Sequence, residues 1–254
     1  MITVAPVSAQ EILFLRDLYR HEMNCQIVHD SMHARPGWTD SYLLRWGETI
    51  AGYGAVLIGG PWNGQPTVFE WYLLPPYRSH TIDLFKAFLI VCGAGSIRSQ
   101  TNDPFFELLI PLFAKDIESE KILFEHHHIT ELAPGDATFR GITPADQSQL
   151  DRYQWEMGGD WIVLYGGAIA ARGGLAFHYN RPFADLYMEV AEPFRKQGLG
   201  TYLVHKLIRV CFEKGNMPAA RCNPENVASH RTLLKAGFRP CGHILTGSLK
   251  ASTT

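Results

Sequence analysis

The chain matches itself. The stretch SYLLRWGETIAGYGAVLI from Ser41 aligns on DWIVLYGGAIAARGGLAF from Asp160 over 18 positions without a gap, an offset of 119 residues. That alignment sets Trp46 on Tyr165, Gly47 on Gly166 and Ile50 on Ile169. Further on, FEWYLLPPYRSHTIDLFKAFL lines up with LYMEVAEPFRKQGLGTYLVHKL, which places Tyr77 and Arg78 on Phe194 and Arg195 at an offset of 117. Two small gaps reconcile the registers, and a repeat of this kind confines the fold to two copies of one unit. Each copy reads as an amphipathic helix, a two-stranded hairpin around a glycine-bearing turn, an apolar strand, a loop, and a helix with i, i+3, i+4, i+7 spacing. The boundary is expected near LAPGDATFRGITPAD, giving units 1–132 and 133–254. There Pro134-Gly135-Asp136 is turn chemistry, and Thr143, Pro144 and Asp146 look like a helix start.

At 254 residues the chain is long enough for two cores. Hydrophobic residues at 46% and charged residues at 19% describe a soluble globular protein. The net charge of -2 offers no field for a polyanion, which disfavours nucleic acid as a main partner. The cysteines Cys25, Cys92, Cys211, Cys222 and Cys241 are scattered, with no CxxC pair, so reduced thiols and no metal site are expected. His126, His127 and His128 resemble a metal tract, yet consecutive residues of an extended strand alternate faces and do not converge on one ion. No basic n-region with an apolar run opens the chain and no stretch reaches 18 apolar residues, so no membrane partner and a cytoplasmic location are expected.

The second copy carries RKQGLG, Arg195 to Gly200, between the apolar strand DLYMEV and a helical stripe through Leu203, Leu207 and Val210. Glycines at a strand-to-helix junction permit positive φ and let a ligand reach amides that a β-carbon would shield. The helix dipole adds positive potential at the same place, so the junction reads as an anion seat. Neither G-x-x-x-x-G-K-[ST] nor G-x-G-x-x-G is present, which excludes the nucleotide P-loop and the dinucleotide fingerprint.

Two linked motifs are present: V-x-x-P-F-R-x-x-G-x-G from Val190 to Gly200, and N-x-x-S-x-x-x-L-x-K-x-G-F from Asn226 to Phe238. In this order and spacing the region from Thr138 to Leu245 resembles the GNAT superfamily of N-acetyltransferases. The resemblance implies an α/β (α+β) fold of tandem GNAT-like domains, each a mixed, mostly antiparallel twisted sheet flanked by helices. It implies acetyl-CoA as cofactor, with the amides of Gln197, Gly198, Gly200 and Thr201 on the pyrophosphate and Arg195, Lys196 and Leu199 completing the loop. Met188 and Val190 are expected to bond the pantetheine arm through their main chains, where the strand splays from its neighbour. Asn226 and Ser229 face the cofactor in the family; read locally, they are equally an Asn N-cap and a first-turn serine.

The implied reaction is direct acetyl transfer to the amine of a small molecule or a peptide. A neutral amine is required, so a base or a water chain must take its proton. Glu189 and Asp185, on one face of the strand, are the candidates, and the Val190 amide is the candidate oxyanion donor. His178 and Tyr179 are candidates for the acceptor wall, and Cys222 is read as packing. The family's usual tyrosine acid is replaced by Leu233, which leaves thiolate release to water. A non-catalytic acyl-CoA binding or sensing protein is the alternative, and monomer and homodimer both stay open.

In the first copy the loop reads Arg78-Ser79-His80-Thr81-Ile82-Asp83, with neither glycine and an acid in place of the second. A degenerate GNAT-like unit without a cofactor site is expected, acting as cover for the acceptor cleft or as an interface. Trp62, Phe69, Trp71 and Tyr72 are read as its core and contact residues.

Overall fold

A computed structural model describes residues 1–130 and 134–250. The expected cut between residues 132 and 133 falls outside the described residues. The chain divides into two compact units, one of Met1–Lys121 together with the segment from Gly242, the other of Ile122–Cys241.

In the first unit, β1 (Ile2–Val7), β2 (Thr39–Trp46), β3 (Thr49–Leu57) and β4 (Thr67–Leu73) form an antiparallel run. Strand β5 (Ser96–Gln100) joins β4 in parallel. Helices α1 (Leu13–Met23) and α2 (His29–His33) follow β1, and α3 (Thr81–Cys92) crosses from β4 to β5. The short helices α4 (Pro104–Glu107) and α5 (Leu109–Phe113) lead into β6 (Ala114–His126), which enters the second unit at Ile122.

The second unit repeats the plan. Strands β7 (Thr138–Gly141), β8 (Trp161–Tyr165), β9 (Ala168–Ala176) and β10 (Phe183–Val190) are antiparallel, and β11 (Met217–Cys222) joins β10 in parallel. Helix α6 (Gln147–Leu150) precedes β8, α7 (Leu199–Glu213) crosses from β10 to β11, and α8 (Val227–Lys235) leads to β12 (Phe238–Leu249). The sixth strand positions are exchanged along the chain. Ile122–Glu125 of β6 pair with β11, and Ile244–Ser248 of β12 pair with β5, both antiparallel.

The repeat is visible atom by atom. The β2–β3 ladder slips between Leu44 and Arg45, and the β8–β9 ladder slips between Val163 and Leu164, the same place at an offset of 119. A β-carbon on Gly54 would sit 2.8 Å from the Phe88 ring of α3, and one on its counterpart Gly173 would sit 3.2 Å from Leu203 and Leu207 of α7. Both glycines therefore let the crossing helix lie close to the sheet. Arg78 donates its Nε–H to the Leu73 carbonyl at 3.1 Å, and Arg195 donates to the Val190 carbonyl at 3.2 Å.

Apolar periodicity becomes two-sided burial in each unit. Leu84, Phe85 and Phe88 of α3 pack with Val56, Val68 and Trp71 on one face, while Leu15 and Tyr19 of α1 meet Tyr53 and Tyr72 on the other. In the second unit Leu203, Leu207 and Cys211 of α7 pack with Ala171, Leu186 and Phe238, and a smaller cluster of Leu150, Ile162 and Ile169 takes in Trp155. Phe69, Trp71 and Tyr72 are buried as expected, whereas Trp62 is half-buried against Trp38. The Thr143 start is a complete capping box with Asp146, but the helix it opens ends at Leu150, shorter than the amphipathic helix expected. Among the described residues no helix is long and apolar enough to cross a membrane, and no group of three or more His, Cys, Asp or Glu side chains is placed to hold a metal ion.

Candidate functional site

Strand β10 pairs with β11 only from Phe183 to Asp185, while its pairing to β9 continues to Val190. The two parallel strands thus part after Asp185. The Ala191 N–H donates to Ala170 of β9 at 3.0 Å. Backbone groups alternate sides along a strand, so those of Glu189 also point to β9 and those of Met188 and Val190 point into the gap. Val190 spends its carbonyl on Arg195. Its N–H and the main chain of Met188, in half-buried residues, are left to face the slot, where they need water or a ligand as partner.

The loop leading to α7 closes the end of this slot. Lys196 has φ of 64° and Gly198 has φ of 81°, so two of the three consecutive positions 196–198 lie in the left-handed region. A lysine held there is strained by about 1–2 kcal/mol, a strain that proteins retain at ligand-binding turns. The first intrahelical bond of α7 runs from the Tyr202 N–H to the Gly198 carbonyl, and no side chain caps the helix. The amides of Leu199, Gly200 and Thr201 are consequently the free donors of a helix start, aimed where the dipole is positive. A β-carbon on Gly200 would lie 3.2 Å from Val190 Cγ2 and 3.4 Å from Met188 Sδ, so the glycine keeps the helix start open to the strand.

A cavity of about 700 Å³ lies over this junction. It is lined by Met188, Glu189, Val190, Arg195, Lys196, Gly198, Leu199, Gly200, Thr201, Asn226 and Ser229, all of them expected from the sequence. Gln197 is not in the lining; its side chain donates weakly to the Pro193 carbonyl at 3.4 Å. Asp185 is not there either. It is 7% exposed and ion-paired with His178 at 3.0 Å and Arg221 at 3.2 Å. Tyr179 is buried beside that cluster, with Arg221 over its ring, and Cys222 packs in the core. Asn226 accepts from the Ser229 N–H at 3.0 Å, so it caps α8 while lining the cavity. Leu233 is 3% exposed in the core and offers no proton.

Sequence reasoning missed Glu156, Met157, Phe194, Ala228, Arg231, Thr232 and Lys235 of the lining. Arg231 and Lys235, one turn apart on α8, carried a signal in their spacing. Together with Arg195 and Lys196 they make one part of the cavity cationic, while Glu156 and Glu189 make another acidic. The Glu156 N–H donates to Glu189 Oε2 at 2.9 Å. The chemistry this permits is the seating of a phosphorylated, extended ligand by main-chain donors, with a carboxylate beside its far end.

In the first unit the corresponding parts differ. Strands β4 and β5 pair only at Thr67–Ser96 and Val68–Ile97 and then part in the same way. There α4 packs against both strands, with Phe106 1% exposed and Asp103 fully buried and bonded by the Tyr19 hydroxyl at 2.6 Å. His80, at the start of α3, stacks on Trp46 with ring centroids 4.0 Å apart.

Comparison with known proteins bears on both halves. No protein of curated function matches the sequence. Among solved structures, an acetyltransferase of the GNAT family from Colwellia psychrerythraea matches with a TM-score of 0.73 and 15% identity, covering 98% of this chain and 100% of that one. A tandem GNAT protein from the clavulanic acid biosynthesis pathway gives a TM-score of 0.63 at 14% identity over 99% of this chain and 100% of that one. A GCN5-related N-acetyltransferase from Sphaerobacter thermophilus gives 0.62 at 13% over 97% and 95%. At such identities these likenesses establish the fold, that of tandem GNAT-like units. The acetyltransferase (GNAT) family model matches residues 127–238, the stretch that holds the splayed strand, the glycine loop and α8. The second unit therefore matches the acetyltransferase (GNAT) family model, and the chain has the fold of tandem GNAT-like units.

Proposed function

We propose that the second unit is an N-acetyltransferase that moves the acetyl group of acetyl-CoA directly to the amine of a small molecule or a peptide. The observation that carries this is the uncapped, glycine-opened start of α7 facing the gap between β10 and β11. The amides of Gly198, Gly200 and Thr201, with that of Gln197, hold the pyrophosphate through charge-assisted bonds of about 1.5–3 kcal/mol each. Arg195 and Lys196 add long-range attraction, and the main chain of Met188 and Val190 steers the pantetheine arm along the slot. Acetyl-CoA supplies an activated acyl group as a thioester. Glu189 takes the acceptor's ammonium proton, so that a neutral nitrogen forms the new C–N bond as the C–S bond breaks, and the proton this nitrogen sheds on becoming an amide passes to water. The Val190 N–H donates to the carbonyl oxygen where charge develops. With Leu233 in the core, the thiolate departs unprotonated and takes its proton from water, which a thiol of pKa about 8.5 permits.

In the first unit the loop without glycine, the His80–Trp46 stack and the packing of α4 against both β4 and β5 support a unit with no cofactor site. Its role is structural under this reading.

The buried Leu233 also fits a protein that binds acyl-CoA and does not turn it over. Release of free thiol from acetyl-CoA, measured with a panel of polyamines, amino acids, aminoglycosides and short peptides, separates the two. Thiol release that depends on an amine is the expected result. Coenzyme A binding in the micromolar range with no amine-dependent release overturns catalysis in favour of sensing.

A further inference from the structure

The cavity holds one carboxylate whose orientation is built from outside the strand that bears it. Arg172 of β9 is the direct ladder partner of Glu189, the natural place for a cross-strand ion pair. Its guanidinium instead gives Nε–H and Nη2–H to the Gly159 carbonyl, at 3.3 and 3.2 Å. Gly159 lies flush on β9, since a β-carbon there would sit 2.5 Å from the Gly173 carbonyl oxygen. Four residues earlier, Trp155 donates its Nε1–H to the Leu150 carbonyl at 2.9 Å and packs into the Leu150–Ile162–Ile169 cluster. The segment 156–158 is thus strung between two anchors, and it presents the Glu156 N–H to Glu189 Oε2.

We infer that Arg172 and the main chain of Glu156 act as a positioning device for Glu189, fixing one carboxylate oxygen so that the other meets the acceptor amine. The inference rests on the proposed role of Glu189. Two features of the geometry support it beyond a loop that happens to touch a strand. First, Arg172 is spent on a main-chain carbonyl, so it does not neutralise the carboxylate that must accept a proton. Second, the first unit lacks the arrangement altogether. At the matching repeat positions it has Tyr53 and Tyr72, whose hydroxyls donate to Glu70 and Glu22, each at 2.9 Å. A carboxylate held by one fixed amide loses rotational freedom before the acceptor arrives, and misplacement of such a group by 1 Å costs roughly 100-fold in rate.

The test separates the donor from the side chain that bears it. Glu156→Ala keeps the amide and Glu156→Pro removes it. With the panel amine that gives the fastest thiol release, kcat of Glu156→Pro is expected to fall by about tenfold or more below that of Glu156→Ala, with KM for acetyl-CoA within about twofold. Arg172→Met is expected to lose a similar factor and Arg172→Lys, which retains a donor, to recover most of it. A merely structural loop would move KM and coenzyme A affinity together with kcat and would show no rescue. Equal kcat for the proline and alanine variants, with unchanged circular dichroism and coenzyme A affinity, overturns the inference and leaves the proposed function standing. If the proline variant does not fold, undiminished kcat in Arg172→Met overturns it equally. A fully active Glu189→Gln, or no thiol release with any amine, removes the role of Glu189 and the inference with it.

Discussion

Gly200→Ala sets helix stability against ligand binding, and the structure fixes the sign of each. The added methyl meets Met188 Sδ at 3.4 Å and Thr232 Cγ2 at 3.5 Å, both ordinary contacts, and Val190 Cγ2 at 3.2 Å, which is tight. Methionine swings aside at little cost, whereas a β-branched valine is restricted at χ1. Either Val190 leaves its rotamer, at about 0.5–1.5 kcal/mol, or the start of α7 lifts by a few tenths of an ångström. Alanine is favoured over glycine in a helix by about 0.8–1.0 kcal/mol, so the two effects nearly cancel and fold stability should change by less than about 1 kcal/mol. Binding does not enjoy that compensation. Met188, Val190 and Thr232 all line the cavity, so the methyl enters the space of the ligand and displaces the amides that face it. Loss of one charge-assisted amide bond is worth about 1.5–3 kcal/mol, roughly 10- to 150-fold in Kd. Calorimetric titration with coenzyme A and urea unfolding of the same preparations test this. A Kd within twofold of the parent refutes the role of the α7 amides. A loss of affinity that comes with more than about 3 kcal/mol of lost stability refutes the separation of the two effects.

Other expectations concern the cores. Burial would raise the Glu70 carboxyl, but Arg16, His29 and His33 around it outweigh that and hold it well below the usual carboxylate value of 4.5. Glu70→Gln removes one of the two carboxylates paired with the buried Arg16, leaving Asp30 at 2.7 Å, and should cost about 1–3 kcal/mol in urea unfolding at neutral pH. Because the folded carboxyl titrates lower than the unfolded one, this contribution is complete above the ordinary value and lost as pH falls through the folded one. The gap between the parent and Glu70→Gln should therefore narrow in acid, and a gap independent of pH refutes the assignment. Burial pushes the Cys211 thiol up to about 11, so alkylation at pH 8 followed by peptide mass mapping should leave Cys211 unmodified in the folded protein. Gly198→Ala, at φ of 81°, should lower stability by about 1–2 kcal/mol, against the near-neutral Gly200→Ala, in the same unfolding assay.

Much of the candidate site was legible because its parts are local. Glycines at a strand-to-helix junction state their φ and their lack of a β-carbon wherever the chain goes, and the motif around Asn226 and Ser229 states a helix start. Asp185 shows where this stops. Its side chain shares a strand face with Glu189, but the pairing of β10 with β11 brings it Arg221, and the loop before the strand brings it His178. Period along one strand identifies a face and says nothing of which neighbours occupy it. Glu156 was invisible for a related reason. It acts through its amide, which every residue but proline possesses, and only the anchoring of Trp155 and Gly159 aims that amide at Glu189.

The amino-acid order alone determined that there are two copies of one unit and that only the later copy has a glycine-opened helix start, since backbone freedom and apolar period are properties of neighbours in the chain. Tertiary structure alone decided that β6 and β12 trade places as sixth strands, because strand partners are chosen by register and burial across long sequence separations. It also decided that α4, with Phe106 buried, packs against both β4 and β5 in the first unit while the matching gap in the second lines a cavity. The two splayed strand pairs begin alike, and what packs against each depends on chain segments that no alignment of the repeats places there.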